Sequence, residues 1–293
     1  ASNLYLGYLQ ATFRSQSDFA HLTRIYWRQS AVSLLLPPLA YTLRFPGLCL
    51  HAILLAVVVT GYAHVARPLR VRARFEPGIA RQLLATGLPL FAAGYLQVVA
   101  AGFDRVVLLR RAGVEAVGYY APALAVIAAL GIVPGAVSTY VYPRMSYALG
   151  HGRSEGAVGR MAFSAAAVSF AAGLPVAVAG WVLAPLVIGR FFPQYVASVT
   201  AVRWSLLAGL VWSLSPAATV LGCLKAWRSL ALYVLLLLVS RFAIPWALSG
   251  GPDPLGGVAL GNLLAAVVVG AASVILVRKA AAPPAPPVVE VVA

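Results

Sequence analysis

Apolar stretches long enough to cross a bilayer occupy almost the whole chain, and short arginine-rich segments separate them. A helix needs roughly 20 apolar residues to cross the ~30 Å hydrocarbon layer. Six uncharged stretches meet that length, at residues 45–66, 82–103, 116–143, 161–189, 204–224 and 254–277. Because lipid offers the backbone no hydrogen-bond partner, segments this long and this apolar are expected to be helices.

Two further stretches are less regular. Residues 29–43 are short and contain Pro37-Pro38, and residues 229–252 are long enough but carry Arg241 in their interior. With both included, the sequence predicts an all-α, polytopic membrane bundle of eight transmembrane helices.

The composition supports a membrane protein. The chain is 61% hydrophobic and 10% charged, whereas a soluble domain carries roughly 25% charged residues. Fifteen of the 22 Lys and Arg fall in segments that eight helices would place on one face, against six on the other. Positively charged loops are retained in the cytoplasm. The sequence therefore predicts that both ends are cytoplasmic, and the net charge of +15 marks topology and not a nucleic-acid partner.

The segments outside the predicted helices define the rest of the organisation. The chain begins without an initiator Met, and residues 1–28 are too polar to span and lack the apolar core of a signal peptide. We therefore expect an N-terminally truncated protein with a cytoplasmic segment at 1–28. Residues 67–83 are predicted to form a cytoplasmic amphipathic linker, and the proline-rich residues 280–293 a disordered tail.

Residues for enzymatic or metal chemistry are sparse. Cys49 and Cys223 fall within predicted spans, where buried thiols are expected. The four His show no metal-ligand spacing, and the seven acidic residues are scattered. We expect no enzyme activity, no metal and no cofactor.

Charged residues at the edge of the third predicted helix form one candidate site. Asp104-Arg105 is followed after about one and a half turns by Arg110-Arg111. Such a cluster is either a flank that extends to the membrane interface or the wall of a polar cavity. On a helix, Arg111 lies on the same side as Asp104, and Arg105 lies about 100° away. We expect Asp104 to hold Arg111, and Arg105 to face the cavity or an anionic substrate.

Arg241 is the second candidate. A central Arg in a span costs at least about 2.5 kcal/mol, so it should face protein or water. It either pairs with an acid or with carbonyls freed by Pro245, or it binds an anionic substrate. A guanidinium favours phosphate because its fork of donors meets two oxygens at once.

Glycine pairs and prolines recur within the spans. Gly131-x-x-x-Gly135 and Gly257-x-x-x-Gly261 are predicted to allow close helix packing. Prolines tend to kink helices, and kinked helices often line transporter cavities. The spans contain seven of them: Pro89, Pro122, Pro134, Pro175, Pro185, Pro216 and Pro245.

An ordered set of short motifs carries a family resemblance across about residues 84–265. The motifs are Gly102-Phe103-Asp104-Arg105-Val106-Val107-Leu108, then Gly113 and Gly118-Tyr119-Tyr120, Tyr142-Pro143-Arg144-Met145-Ser146, Phe192-Pro193-Gln194-Tyr195 and Gly257-Val258-Ala259-Leu260-Gly261. In this order they resemble the second half of Wzx-type polysaccharide flippases, in the multidrug/oligosaccharidyl-lipid/polysaccharide (MOP) exporter superfamily.

The resemblance implies a MOP/MATE-like bundle of two lobes around a central cavity, in the cell inner (plasma) membrane. Residues 29–66 would be the last two helices of the first lobe, and residues 84–279 a six-helix second lobe. Such a protein flips polyprenyl-diphosphate-linked oligosaccharide to the outer leaflet for surface polysaccharide such as the O-antigen of lipopolysaccharide. Its partners would be that lipid-linked oligosaccharide, membrane lipids and the polysaccharide polymerase machinery. The predicted substrate-binding residues are Asp104, Arg105, Arg111 and Arg241.

Three other functions remain as alternatives. A multidrug or organic cation antiporter of the same superfamily should favour an acidic cavity, whereas the spans here hold an Arg and a boundary Asp. A membrane glycosyltransferase or polymerase would need a substantial outer loop, and the predicted outer breaks are short. A structural membrane subunit gives no reason for Arg241.

Overall fold

A computed structural model describes residues 2–16, 18–68 and 76–281. Within these residues the chain is helical, with no β-strand, which confirms the all-α prediction for this part of the chain. The chain divides into two compact units, residues 1–76 and 77–293. The division falls inside the predicted linker 67–83, of which residues 69–75 lie outside the described part. Of the predicted tail 280–293, only Ala280 and Ala281 are described.

The first unit is built from short helices. They are α1 (Ser2–Ser15), α2 (Phe19–Ser33), α3 (Leu36–Leu43), α4 (Phe45–Leu54), a π-helical segment (Leu55–Val59) and α5 (Thr60–Val65). The helices α1, α2 and α5 and the π-helical segment share one apolar core, formed by Leu9, Phe13, Leu22, Ile25, Val59 and Ala63. The predicted cytoplasmic segment 1–28 is therefore helical over most of its length.

The start of α2 is capped by Asp18. Its carboxylate accepts a hydrogen bond from the His21 backbone N–H at 3.2 Å and pairs with the His21 ring nitrogen Nδ1 at 2.8 Å. An aspartate at this position satisfies one of the amide groups that the first turn of a helix leaves unpaired.

The predicted span 29–43 is not a single helix. A turn at Leu34 and Leu35 separates α2 from α3, which is only eight residues long. Pro37 lies in the first turn of α3, where its missing N–H costs no helical hydrogen bond. Arg44, with φ of 53°, then separates α3 from α4. Residues 29–43 therefore do not form one continuous helix long enough to cross a membrane.

The second unit contains the longer helices. They are α6 (Pro77–Ala100), α7 (Phe103–Tyr119), α8 (Ala121–Gly150), α9 (Glu155–Phe191), α10 (Val199–Trp212), α11 (Pro216–Cys223), α12 (Trp227–Leu248) and α13 (Pro254–Ala280), with a 3-10 turn at Pro193–Ser198 between α9 and α10. The predicted span 204–224 is interrupted at residues 213–215.

Seven stretches of the described chain are helical, apolar and long enough to cross a membrane, where the sequence predicts eight. They are Phe45–Val65, Pro77–Tyr119, Ala121–Gly150, Glu155–Phe191, Pro193–Trp212, Trp227–Leu248 and Pro254–Ala280. The prediction of a polytopic helical bundle is thus supported, with one span fewer.

Helix α13 organises the second unit, because it packs along both α10 and α12 and also contacts α7. Its glycines allow a close approach to the end of α12. A Cβ atom on Gly261 would lie 2.5 Å from Pro245 Cα, and one on Gly257 would lie 2.3 Å from the Leu248 carbonyl oxygen. The packing role predicted for this glycine pair is confirmed.

A buried polar cluster and an arginine-lined cavity

Asp104 lies in the first turn of α7 and is almost completely buried, with 1% of its surface exposed. The preceding helix α6 ends at Ala100, so Asp104 begins a helix and does not end one, contrary to the sequence-based expectation. Its Oδ1 accepts a hydrogen bond from the Arg105 backbone N–H at 2.8 Å. Its Oδ2 is buried and has no hydrogen-bond partner among the residues that the structure describes.

Neutral polar side chains surround this carboxylate. Asn262 of α13 is fully buried, and its amide Nδ2 donates to the Tyr120 hydroxyl at 3.2 Å. Asn262 also lies near Asp104, and Ser205 of α10 lies near Tyr120, without a well-formed hydrogen bond in either pair. Tyr120 itself is fully buried between α7 and α8. The cluster therefore joins α7, α10 and α13 through polar groups at a buried position.

Arg241 supplies the positive charge of the cluster. It lies about 21 Å along α12 from Trp227, at 1.5 Å per residue, and is 8% exposed. Its guanidinium lies over the Trp212 ring, 4.6 Å from the centroid. Asp104 and Arg241 interact electrostatically, but no nitrogen and oxygen of the two come within the 4.0 Å of a direct ion pair.

Arg241 also lines a cavity of about 310 Å³ between α8, α10 and α12. Gly131 and Gly135 of α8 form one wall, and a Cβ atom on either would meet nothing within 4 Å. Trp212 and Ser213 of α10 form another. These two glycines keep space open, so the prediction that this pair serves close helix packing is wrong.

A second cavity, also of about 310 Å³, adjoins the first and shares Ser138 and Ser215 with it. It extends between α6, α8, α11 and α12 towards the end of α12 that begins at Trp227. Its wall carries neutral hydrogen-bonding side chains: Gln97, Ser138, Tyr142, Ser215, Thr219 and Tyr233. Neutral polar side chains thus line the space from Arg241 towards the end of α12 that is predicted to be cytoplasmic.

The structure divides the predicted site residues into two groups. It brings Asp104 and Arg241 together in the cluster. Arg105 and Arg111 are exposed. The Arg111 guanidinium lies 4.1 Å from the centroid of the Trp246 ring and donates to the Trp246 carbonyl at 3.5 Å. The expectation that Asp104 holds Arg111 is wrong, because this aromatic contact holds the side chain elsewhere.

Sequence reasoning missed the neutral members of the cluster. Tyr120, Asn262 and Trp212 carry no charge, so a search for ionisable groups in apolar spans passes over them. Asn262 is the one that could have been found, because it is a lone amide within the uncharged stretch 254–277. A buried amide in a membrane helix needs a hydrogen-bond partner on a neighbouring helix.

Among the described residues, no three His, Cys, Asp or Glu side chains are grouped so that they could hold a metal ion. No family model, curated protein or solved structure matches the chain. Its class is therefore defined by the fold and the site alone: seven apolar helices support a multi-pass membrane protein, and a buried arginine lines a cavity between three of them.

Proposed function

We propose that the chain is part of a carrier that moves a polyprenyl-diphosphate-linked oligosaccharide from the inner to the outer leaflet of the cell membrane, with a MOP/MATE-like fold. The observation that carries this proposal is Arg241: a buried guanidinium, without a direct ion-pair partner in the described part of the chain, on the wall of a cavity. A charge at membrane depth is costly, and a ligand of opposite charge offsets that cost.

The chemistry of the cavity fits the head of such a lipid. A guanidinium binds two phosphate oxygens at once. Trp212 packs against the guanidinium of Arg241, and both side chains line the cavity that would hold the anion. Hydroxyl and amide groups of the adjoining cavity can hydrogen-bond sugar hydroxyls. A diphosphate with an attached sugar matches both regions better than a purely apolar ligand does.

The proposal is tested by binding of geranyl diphosphate, a short prenyl diphosphate, to the purified chain in detergent. Arg241→Gln should weaken binding roughly tenfold to a hundredfold, because a hydrogen bond to a charged group contributes about 1.5–3 kcal/mol. Arg110→Gln is the matched control. It removes the same charge from an arginine that is exposed on α7. If both variants bind geranyl diphosphate like the parent, Arg241 is not an anion site and the proposal fails.

Transport is tested after reconstitution into liposomes. A fluorescent prenyl-diphosphate-linked sugar should cross to the opposite leaflet faster with the parent than with Arg241→Gln, as measured by protection from an external quencher. Equal rates for protein-free liposomes and for the parent would contradict a carrier function for this chain.

An organic cation antiporter of the same superfamily is the second candidate, because Asp104 is buried with an unpartnered carboxylate oxygen. Asp104 does not line the described cavity next to Arg241, however, whereas the arginine does. Tetraphenylphosphonium binding that is lost in Asp104→Asn and retained in Arg241→Gln would favour this candidate over the diphosphate carrier.

A further inference from the structure

A third cavity lies on a different face of α8, between α8 and α9. It has a volume of about 830 Å³ and is the largest of the cavities described here. None of its lining residues is shared with the two cavities that lead to Arg241. It is therefore a separate site, and nothing in the proposed transport function uses it.

Three arginines converge on one end of this cavity: Arg144 from the end of α8, Arg153 from the following turn and Arg160 from the start of α9. All three side chains are exposed, and none forms an ion pair with a described residue. Arg144 lies over the Tyr140 ring, 3.9 Å from its centroid. No acidic residue lines the cavity. The result is a concentrated positive charge with no counter-ion among the described residues that line the cavity.

The other end of the cavity is apolar. Val137 and Val141 of α8 face Met161, Ala165 and Val168 of α9 across it. Val168 is eight residues beyond Arg160, which is about 12 Å along the helix. The cavity thus has a cationic end at the membrane face predicted to be cytoplasmic and an apolar wall that extends towards the membrane interior.

We infer that this groove binds an anionic phospholipid, with the phosphate on Arg144, Arg153 and Arg160 and an acyl chain along the α8–α9 wall. Basic pockets between membrane helices on the cytoplasmic side bind anionic lipid head groups. The retention of positive loops in the cytoplasm explains why arginines occur between α8 and α9. It does not explain why three of them line one cavity whose remaining wall is mainly apolar.

The test is native mass spectrometry of the detergent-purified chain with phosphatidylglycerol. We expect the parent to retain one phosphatidylglycerol molecule preferentially over phosphatidylcholine. The variant Arg144→Gln/Arg153→Gln/Arg160→Gln should lose roughly tenfold or more of that affinity. The matched control is Arg81→Gln/Arg228→Gln/Arg278→Gln, which removes three exposed arginines from the same predicted face, outside the groove. It should bind phosphatidylglycerol like the parent.

Three results would overturn the inference. Equal losses in both triple variants would indicate general surface attraction, and equal retention of phosphatidylcholine would indicate an apolar groove without a head-group site. Displacement of phosphatidylglycerol by equimolar geranyl diphosphate in the parent would assign the groove to prenyl diphosphates instead.

A second measurement does not depend on the folding of a triple variant. A photoactivatable phosphatidylglycerol with its reactive group on the acyl chain should label α8 and α9 of the parent between residues 136 and 168. The single variant Val168→Trp, which fills the apolar end, should reduce that labelling. Labelling spread evenly over all apolar helices would contradict the site.

Discussion

The two buried charges of the second unit, Asp104 and Arg241, compensate each other without touching. Removing one partner of a buried pair leaves an isolated charge, which is far more costly than removing both. The contact with Trp212 and the adjacent cavity reduce the free-energy cost of burying the Arg241 charge. Asp104 accepts a hydrogen bond from the Arg105 backbone, and Arg241 and Arg105 act on its charge without forming an ion pair with it. The stability of the cluster should therefore depend on both charges together.

A double-mutant cycle measures this dependence. Asp104→Asn should lower the melting temperature of the detergent-solubilised chain, because Arg241 loses its compensating charge. Adding Arg241→Gln to that variant should restore part of the loss, with a coupling energy of roughly 0.5–3 kcal/mol. The pair Asp104→Asn with Arg110→Gln is the control and should show additive effects. Additive effects in both pairs would show that the two buried charges do not interact.

The sequence could predict the charged half of this site and not its geometry. Asp104 and Arg241 stand out because ionisable residues are rare at membrane depth. Their meeting depends on the turn at residues 101 and 102, which separates α7 from α6, and on the packing of α13 against both α7 and α12. The spacing and periodicity of a single sequence do not predict which residues more than a hundred positions apart come together.

At the scale of helices, the two Gly-x-x-x-Gly pairs have the same spacing and opposite roles. Gly261 is in contact with the Pro245 backbone, whereas Gly135 borders open space beside Arg241. The spacing of four residues shows only that the two glycines of each pair lie on one face of their helix. What that face meets is decided by the neighbouring helices.

Matched alanine substitutions separate these roles. Gly261→Ala should lower the melting temperature, because its Cβ would lie 2.5 Å from Pro245 Cα. Gly135→Ala should be neutral or stabilising by up to about 1 kcal/mol, since Ala is the better helix former. Gly135→Leu should instead fill the cavity and weaken geranyl diphosphate binding without lowering stability. Equal destabilisation by both alanine variants would contradict the assignment of Gly135 to the cavity wall.

The cap of α2 gives a pH dependence in the first unit. The hydrogen bond from the His21 side chain holds the pKa of Asp18 below its usual value. A carboxylate with a lowered pKa stabilises the fold above its unfolded pKa of about 3.9, and that contribution is lost as the pH falls through the lower folded value. Asp18→Asn keeps the cap oxygen and removes the charge.

The parent should therefore melt at a higher temperature than Asp18→Asn at pH 6, and the difference should shrink and disappear as the pH falls through the lowered folded pKa of Asp18. Thermal unfolding followed by circular dichroism across this range measures it. Asp253→Asn is the comparison variant, because Asp253 also caps a helix by accepting from the Gly256 N–H at 2.9 Å, but has no His partner. A difference that persists unchanged at pH 3 would contradict the role given to the Asp18 charge.

The sequence predicted the presence of helices better than it predicted the positions where helices are interrupted. The long uncharged stretches 161–189 and 254–277 each lie inside one helix, and 121–143 lies inside α8, because nothing in lipid competes with helical hydrogen bonds. The breaks at 101–102 and 213–215 fall within apolar sequence and carry no charge that would mark them. Packing sets the positions of these breaks, so counting the residues between charges does not predict them.

For the whole molecule, the loss of the predicted span 29–43 changes the expected topology. With seven crossings, residues 1–44 would lie on the face opposite to 67–81. Twelve Lys and Arg then remain on the predicted cytoplasmic face, against nine on the other. The excess of Lys and Arg stays on the predicted cytoplasmic face, so the predicted orientation of the second unit does not change. The side on which the N-terminal segment lies distinguishes eight crossings from seven.

Four exposed glycines serve as labelling positions, because a Cβ atom at any of them would meet nothing within 4 Å: Gly7, Gly78, Gly150 and Gly251. Each is changed to Cys after Cys49 and Cys223 are replaced by Ala, and intact cells are treated with a membrane-impermeant maleimide. Cys at 251 should react from outside, whereas Cys at 78 and 150 should react only after the membrane is opened. Reaction of all three from the same side would refute the arrangement of the second unit. Cys at 7 should then react from outside with seven crossings and only from inside with eight, which decides whether α2 and α3 together cross the membrane despite the turn between them.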